Sequence, residues 1–421
     1  MDKLVIKGGR PLSGTVKISG AKNSSLPILA ATILSEEASV VHNVPDLKDV
    51  YTMIEIISAL GRKIVKRGDT VEVSAGKIKK ATASYELVST MRASIAVLGP
   101  LLAWQKEAKV SFPGGCVIGP RPIELHFKGL RALGADIHID GGYIVASAKK
   151  LKGARIYLGG HFGSSVLATA NTLMCAVLAD GETIIENAAC EPEISDLSDF
   201  LKKMGADIRG AGTPTLMIRG VKKLGGAQHY VISDRIEAGT YMIAALITGG
   251  KLFIEGAVSR HNLALIDKLI ECGGRIEEKP GGIEVSRKKS KLQVTDITTL
   301  TYPGFPTDLQ AQMMSLVTVA EGISVITEKI YPERFIHISE LNRMGANIIL
   351  EGSTAIIKGV KRLSGATVMA SDLRASAALV LAGLVAEGRT EISRIYHLDR
   401  GYEHLEKKLS AVGAEIERIK E

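Results

Sequence analysis

The sequence predicts an α/β fold made of six copies of one unit of about 70 residues, three copies in each of two domains. Three observations carry this. An apolar residue followed by Gly, a small residue and a strand-like stretch recurs at Gly61, Gly134, Gly205, Gly273, Gly345 and Gly413, with steps of 73, 71, 68, 72 and 68 residues. A second Gly turn stays in phase with the first at Gly181, Gly250, Gly322 and Gly388, each after an apolar helical stretch and before a strand. The length of 421 residues accommodates two or three domains.

Each element has a local reason. Gly adopts a left-handed backbone cheaply, so apolar-Gly-small marks a helix end that turns into a strand. The first two units keep the second strand without its Gly, at Ala38-Ser39-Val40-Val41 and Ala108-Lys109-Val110-Ser111-Phe112. A unit therefore contains helix, strand, helix, strand and a further strand, too much for a thin solenoid repeat. The chain opens on a strand, Leu4-Val5-Ile6, which is free to join the last unit's sheet, and the first helix is expected after Pro27. The boundary between units three and four falls near Tyr230 to Asp234. The domains expected are 1–21 plus 233–421, discontinuous, and an inserted 22–232, with the active site in the cleft between them.

Composition removes several function classes. Hydrophobic residues are 46% and charged residues 23%, the balance of a globular chain with a real core. Aromatics are only 4%, too few for a base-stacking platform, so no nucleic-acid partner is expected. The best apolar run, Ala377 to Ala386, is about half the roughly 20 residues of a membrane span, and the N-terminus has no secretory pattern. The net charge of +8 suits an enzyme of anionic small molecules, and the run Arg287 to Lys291 reads as a solvated loop. Cys116, Cys175, Cys190 and Cys272 show no metal spacing, and Cys175 and Cys272 lie in apolar helical contexts. A cytoplasmic monomer without metal or cofactor is the expectation.

No Walker loop, HExxH or nucleophile elbow is present, so chemistry must come from loops. Pro113-Gly114-Gly115-Cys116-Val117-Ile118-Gly119-Pro120-Arg121-Pro122 cannot be regular structure. Beside Arg121 an exposed Cys116 thiol would ionise readily; the plain alternative is a surface turn. Ser19-Gly20-Ala21-Lys22-Asn23-Ser24 places an ammonium beside free backbone amides ahead of a helix, a cradle for an anion or simply a basic helix start. In Tyr302 to Gln310, Thr307 and Gln310 have capping-box spacing, which puts Asp308 in a first helical turn as a general base or as an ordinary N-terminal acid. Arg334, Arg374 and Arg400 sit in loop-like settings; converging, they would grip a small polyanion, and singly each is a surface ion pair.

Ser19-Gly20-Ala21-Lys22-Asn23, the ten-residue Cys116 loop, Asp234-Arg235-Ile236-Glu237, Pro303 to Gln312 and Asp372-Leu373-Arg374-Ala375-Ser376 together resemble the enolpyruvyl transferase family, in its UDP-N-acetylglucosamine 1-carboxyvinyltransferase branch. The resemblance runs in order from about Leu4 to about Ile419. It implies a two-domain inside-out α/β barrel. It also implies transfer of enolpyruvyl from phosphoenolpyruvate to the 3′-hydroxyl of UDP-N-acetylglucosamine, in peptidoglycan synthesis. By resemblance Cys116 is the general acid and the residue that becomes covalently modified, Asp308 the base, and Lys22, Arg121 and Arg400 the holders of phosphate and carboxylate, with Arg334 nearby. Arg374 belongs to the same substrate-binding set. Asn23, Arg92, Arg121, Pro122, Ile123, Glu124, Leu125 and Ile330 are similar to nucleotide-sugar contacts. The sister acceptor, shikimate 3-phosphate, is the alternative, disfavoured by the Cys loop. Gly163 and Leu167 depart from the family pattern, which puts uridine contacts at 163–166 in question. Cys116 in place of Asp implies sensitivity to fosfomycin.

Overall fold

The computed structural model describes residues 2–112, 114, 123–287 and 291–420. Within it, residues 2–19 and 233–420 form one compact unit, and residues 20–112 and 123–232 form the other. Cys116, Arg121 and Pro122 lie outside the described residues, as do positions 288–290 of the basic run.

The repeat is physical. Among the described residues there are six four-stranded sheets of one topology, three in each unit. In each sheet an edge strand pairs in parallel with its neighbour, and the two following pairings are antiparallel. In five of these six sheets the edge strand comes from an earlier segment of chain than its neighbour. Gln228–Tyr230, at the end of the third repeat, lies parallel to Ser39–His42 of the first, Gln228 opposite Val40, so the inserted unit closes on itself. In the other unit Ser13–Lys17 pairs with Lys251–Glu255, and the opening strand Asp2–Lys7 sits between Arg389–Ser393 and Glu415–Lys420.

Six glycines set the phase. Gly61, Gly134, Gly205, Gly273, Gly345 and Gly413 all have left-handed φ between 89° and 108°. That is the conformation an L-residue adopts only with strain. In the second series Gly181, Gly322 and Gly388 behave likewise, whereas at the fourth repeat the left-handed residue is Gly249, not Gly250. In the second repeat, which lacks the Gly, Lys106 takes that conformation at φ 63°.

Two kinds of helix follow from two patterns. Leu263–Glu271 has one apolar face, buries only Leu265 and Leu269, and lies outside. Lys22–Ala31, Leu98–Gln105 and Val166–Ala176 in one unit, and Arg235–Thr248, Gln310–Val317 and Leu373–Gly383 in the other, are apolar nearly all round. They pack on one another at the centre of their unit, inside the sheets, which is the inside-out arrangement. Small residues permit the close approach. A Cβ on Gly99 would lie 2.3 Å from the Asn171 carbonyl oxygen, and the Gly99 amide donates to Asn171 Oδ1 at 2.7 Å.

The first helix corrects the expectation of a start after Pro27. It begins at Lys22 and contains Pro27, because burial of Ser24 through Ala31 outweighs the one backbone hydrogen bond that proline removes. Cys175 and Cys272 are fully buried, and burial pushes both thiols up to about 12, so they are inert core residues.

Candidate functional site

The repeat places the N-terminus of each central helix at an equivalent position, and the candidate residues gather there. In the discontinuous unit these starts carry acids: Asp234, Asp308 and Asp372. Asp234 and Asp372 cap their helices. Asp234 Oδ1 accepts from the amides of Ile236 (2.8 Å) and Glu237 (3.0 Å), and Asp372 Oδ1 from those of Arg374 (2.8 Å) and Ala375 (3.1 Å).

Asp308 does something else. The capping box anticipated from Thr307 and Gln310 does not form. Residues Thr307–Leu309 make a 3-10 turn with no side-chain cap, and the helix starts at Gln310. The Thr307 hydroxyl is committed elsewhere: it donates to Glu328 Oε2 at 2.9 Å and accepts from Arg334 Nη1 at 3.0 Å. This leaves the Asp308 carboxylate to two guanidiniums. Oδ1 accepts from Arg334 Nη1 and Oδ2 from Arg374 Nη2, both at 2.9 Å. Neither arginine is at a surface ion pair: Arg334 is at 6% exposure and Arg374 at 2%, while the Asp308 side chain keeps 27%. Burial alone would raise the Asp308 pKa; Arg374 and Arg334 outweigh it and hold the carboxyl well below the usual carboxylate range. Arg374 also lies over the Tyr402 ring at 5.4 Å, and Gln312 Nε2 ties the assembly together by donating to the Asp308 carbonyl (2.9 Å) and to Tyr402 Oη (3.0 Å).

Ile330 is half-buried just beyond strand Ile323–Thr327, its amide donating to Glu328 Oε1 at 2.8 Å. Arg400 ends the 3-10 segment Ile395–Arg400. Burial first, then the charges of Arg400 and Arg394, hold His397 below its ordinary pKa.

In the inserted unit the equivalent helix starts carry Lys22, Arg92 and Ser165. Lys22 Nζ sits 3.2 Å from Asp49 Oδ2, with side-chain exposures of 12% and 5%, so its ammonium is aimed by an acid 27 residues away. Asn23 follows it, half-buried. Ile123 is buried, Glu124 exposed and Leu125 half-buried at the start of helix Glu124–Ala132. On that helix His126 is buried and shares a hydrogen bond of 2.9 Å with Asn171, which bonds in turn to the Ile95 carbonyl. Burial, with Arg92 adding repulsion, lowers the His126 pKa to about 3, so the ring is neutral at working pH. The unusual 163–167 stretch is a tight hairpin, Gly159–Gly160 against Gly163–Ser164, running into a helix that Ser165 caps.

Sequence reasoning thus placed Lys22, Asp308, Arg334 and Arg374, and the structure brings the last three into one cluster. It did not single out Asp49, His126 or Glu328, and it gave Thr307 a capping role that the structure does not show. Among the described residues no group of three or more His, Cys, Asp or Glu is arranged to hold a metal ion, and no helix is long and apolar enough to cross a membrane.

Among the described residues each unit has three central helices and three like sheets, and the discontinuous unit adds a carboxylate gripped by two buried arginines at a helix start. The solved structure of the enolpyruvyl transferase NikO from Streptomyces tendae is similar over 99% of this chain and 98% of its own, at a TM-score of 0.89 and 26% identity. EPSP synthase from Acinetobacter baumannii shares the fold at a TM-score of 0.76 and 19% identity, over 100% of both chains. The family described as EPSP synthase (3-phosphoshikimate 1-carboxyvinyltransferase) matches residues 6–409, and the chain belongs to that enolpyruvyl transferase family. Within it, the chain is similar to a UDP-N-acetylglucosamine 1-carboxyvinyltransferase of Methylacidiphilum infernorum, at 55% identity over 100% of this chain and 99% of the relative. It is also similar to UDP-N-acetylglucosamine 1-carboxyvinyltransferase 1 of Caldanaerobacter subterraneus, at 56% over 99% of each.

Proposed function

We propose that this enzyme transfers the enolpyruvyl group of phosphoenolpyruvate to the 3′-hydroxyl of UDP-N-acetylglucosamine, releasing phosphate, in the cytoplasm and as a monomer, for peptidoglycan synthesis. The observation that carries the reading is full-length identity of 54–56% to relatives of that name. The Asp308–Arg334–Arg374 cluster and the aimed Lys22 supply chemistry that fits it.

The reaction is an addition followed by an elimination. In the addition a proton reaches the methylene carbon of phosphoenolpyruvate, the sugar oxygen bonds to C2, and the hydroxyl proton leaves. In the elimination the C2–O bond to phosphate breaks and the methyl group returns a proton, restoring the double bond. Cys116 is the proposed acid for the methylene carbon and the thiol that forms a covalent adduct. Asp308 is the proposed base for the hydroxyl. Lys22, Arg121 and Arg400 are the proposed clamps for phosphate and carboxylate, with Arg334 and Arg374 beside them, and their charge favours the anionic tetrahedral adduct. Asn23, Arg92, Pro122, Ile123, Glu124, Leu125 and Ile330 are the proposed nucleotide-sugar contacts.

The geometry adds a condition. A carboxylate held by two guanidiniums is a weak base. Proton removal by Asp308 therefore requires one arginine to turn toward the anionic substrate, which raises the carboxyl's affinity for a proton as the hydroxyl arrives.

The test is phosphate release from phosphoenolpyruvate with UDP-N-acetylglucosamine, with shikimate 3-phosphate in parallel, and with and without fosfomycin. Release with the nucleotide sugar alone, blocked by the epoxide in wild type but not in a Cys116→Asp variant, supports the reading. Release with shikimate 3-phosphate alone overturns the acceptor.

A further inference from the structure

Behind the Asp308 cluster lies a carboxylate that the reaction scheme does not use. Glu328 follows strand Ile323–Thr327 and is 0% exposed, yet four donors converge on it. Oε1 accepts from the Thr299 hydroxyl (2.6 Å) and from the backbone amides of Ile330 (2.8 Å) and Tyr331 (3.0 Å). Oε2 accepts from the Thr307 hydroxyl at 2.9 Å. The direction of every bond is set by the groups behind it. Thr299 Oγ1 already accepts from the Lys329 amide at 2.9 Å, and Thr307 Oγ1 from Arg334 Nη1 at 3.0 Å. Each hydroxyl hydrogen is therefore turned to Glu328, and each oxygen is turned to its N–H donor.

We propose that Glu328 is a positioning residue: through the Thr307 hydroxyl it fixes Arg334 against Asp308, and through two backbone amides it holds the 330–331 segment that leads to Arg334. The same Arg334 Nη1 that meets Thr307 also meets Asp308 Oδ1, at 2.9 Å, so the relay ends on the candidate base. The Arg334 amide donates to the Tyr331 carbonyl at 2.9 Å, so backbone and side-chain routes reach the same guanidinium. An all-acceptor group is needed at this position. A Gln would offer its NH2 either to two backbone donors or to Thr307, whose hydrogen would then lose its acceptor, and the negative charge behind the relay would be gone.

The role rests on the proposed part of Asp308 and Arg334 in enolpyruvyl transfer, and the experiment separates the two ideas. Glu328→Gln, Thr307→Val, Thr307→Ser and the double variant Glu328→Gln/Thr307→Val are compared with the wild-type chain. Glu328→Gln and Thr307→Val are each expected to lower kcat about 10- to 100-fold in folded protein, the range for one charge-assisted hydrogen bond. Thr307→Ser, which keeps the hydroxyl, is expected near wild type. The double variant is expected to be no slower than the worse single one, because both break one relay. The acid limb of the kcat profile is expected to move to higher pH in Glu328→Gln, since a loosened Arg334 no longer holds Asp308 as low. The Arg334 side-chain Nε–H resonance, identified by its loss in Arg334→Lys, is expected to shift or broaden in Glu328→Gln and Thr307→Val but not in Thr307→Ser. Wild-type kcat and an unmoved acid limb in Glu328→Gln, or fully additive losses in the double variant, overturn the positioning role. A resonance that responds as expected in a chain that transfers no enolpyruvyl keeps the relay and overturns the function; transfer with an unresponsive resonance does the reverse.

Discussion

Asp308→Asn keeps the shape of the side chain and removes its charge. In the wild type one carboxylate neutralises two guanidiniums, Arg334 at 6% exposure and Arg374 at 2%. Removing one partner of a buried ion pair costs about 3–5 kcal/mol, because the other charge stays buried without compensation. Here Asn retains one acceptor and the position is 27% exposed, so water screens part of the loss and about 2–3 kcal/mol remains. In a unit of some 200 residues that lowers the melting temperature by about 4–12 °C. Urea unfolding read at several pH values is the assay. The folded Asp308 pKa is depressed, so its contribution is fully present above the unfolded value of about 4 and is lost as pH falls through the folded value. The gap between wild type and variant is therefore expected to be constant from pH 7.5 to about 5 and to close only below about 4. A variant as stable as wild type at pH 7.5, or a gap that closes at pH 6, would refute the clamp. Turnover of the folded variant is expected to fall at least about a thousandfold if Asp308 moves the proton.

His126 supplies a second pH signature. Its folded pKa of about 3 lies below the unfolded value of about 6.5, so the neutral ring contributes stability that is lost progressively as pH falls from 6.5 toward 3. His126→Gln is expected to flatten that acid limb by about 1–3 kcal/mol between pH 7 and 4, and equal acid sensitivity in both proteins would contradict a buried neutral ring. Two glycines separate steric from conformational need. Gly99→Ala drives a Cβ to 2.3 Å from a backbone oxygen and is expected to cost about 3 kcal/mol or more. Gly345→Ala meets nothing within 4 Å but must hold φ near +89°, for about 1 kcal/mol. Denaturant midpoints in the opposite order would mean that the central helices are less tightly packed than described.

What the amino-acid sequence determined by itself is local and periodic. A left-handed turn favours Gly, so the six-fold spacing of Gly61 through Gly413 announced the units, and apolar stretches ahead of the second Gly series announced helices there. Lys22 and Asp308 were visible because charged residues stood beside Gly or Pro just ahead of a helix, and Arg334 and Arg374 because they stood in loop-like settings. The tertiary structure decided the partners. Whether Thr307 caps a helix or serves Glu328 depends on a strand that ends 20 residues later. Asp49 reaches Lys22 across 27 residues, and Arg374 reaches Asp308 across 66. The physical reason is that a capping or turn preference is worth about 1 kcal/mol and acts within a few residues. A buried carboxylate or guanidinium left unpaired costs several times that, so the fold satisfies these groups first, with whatever the packed helices bring alongside.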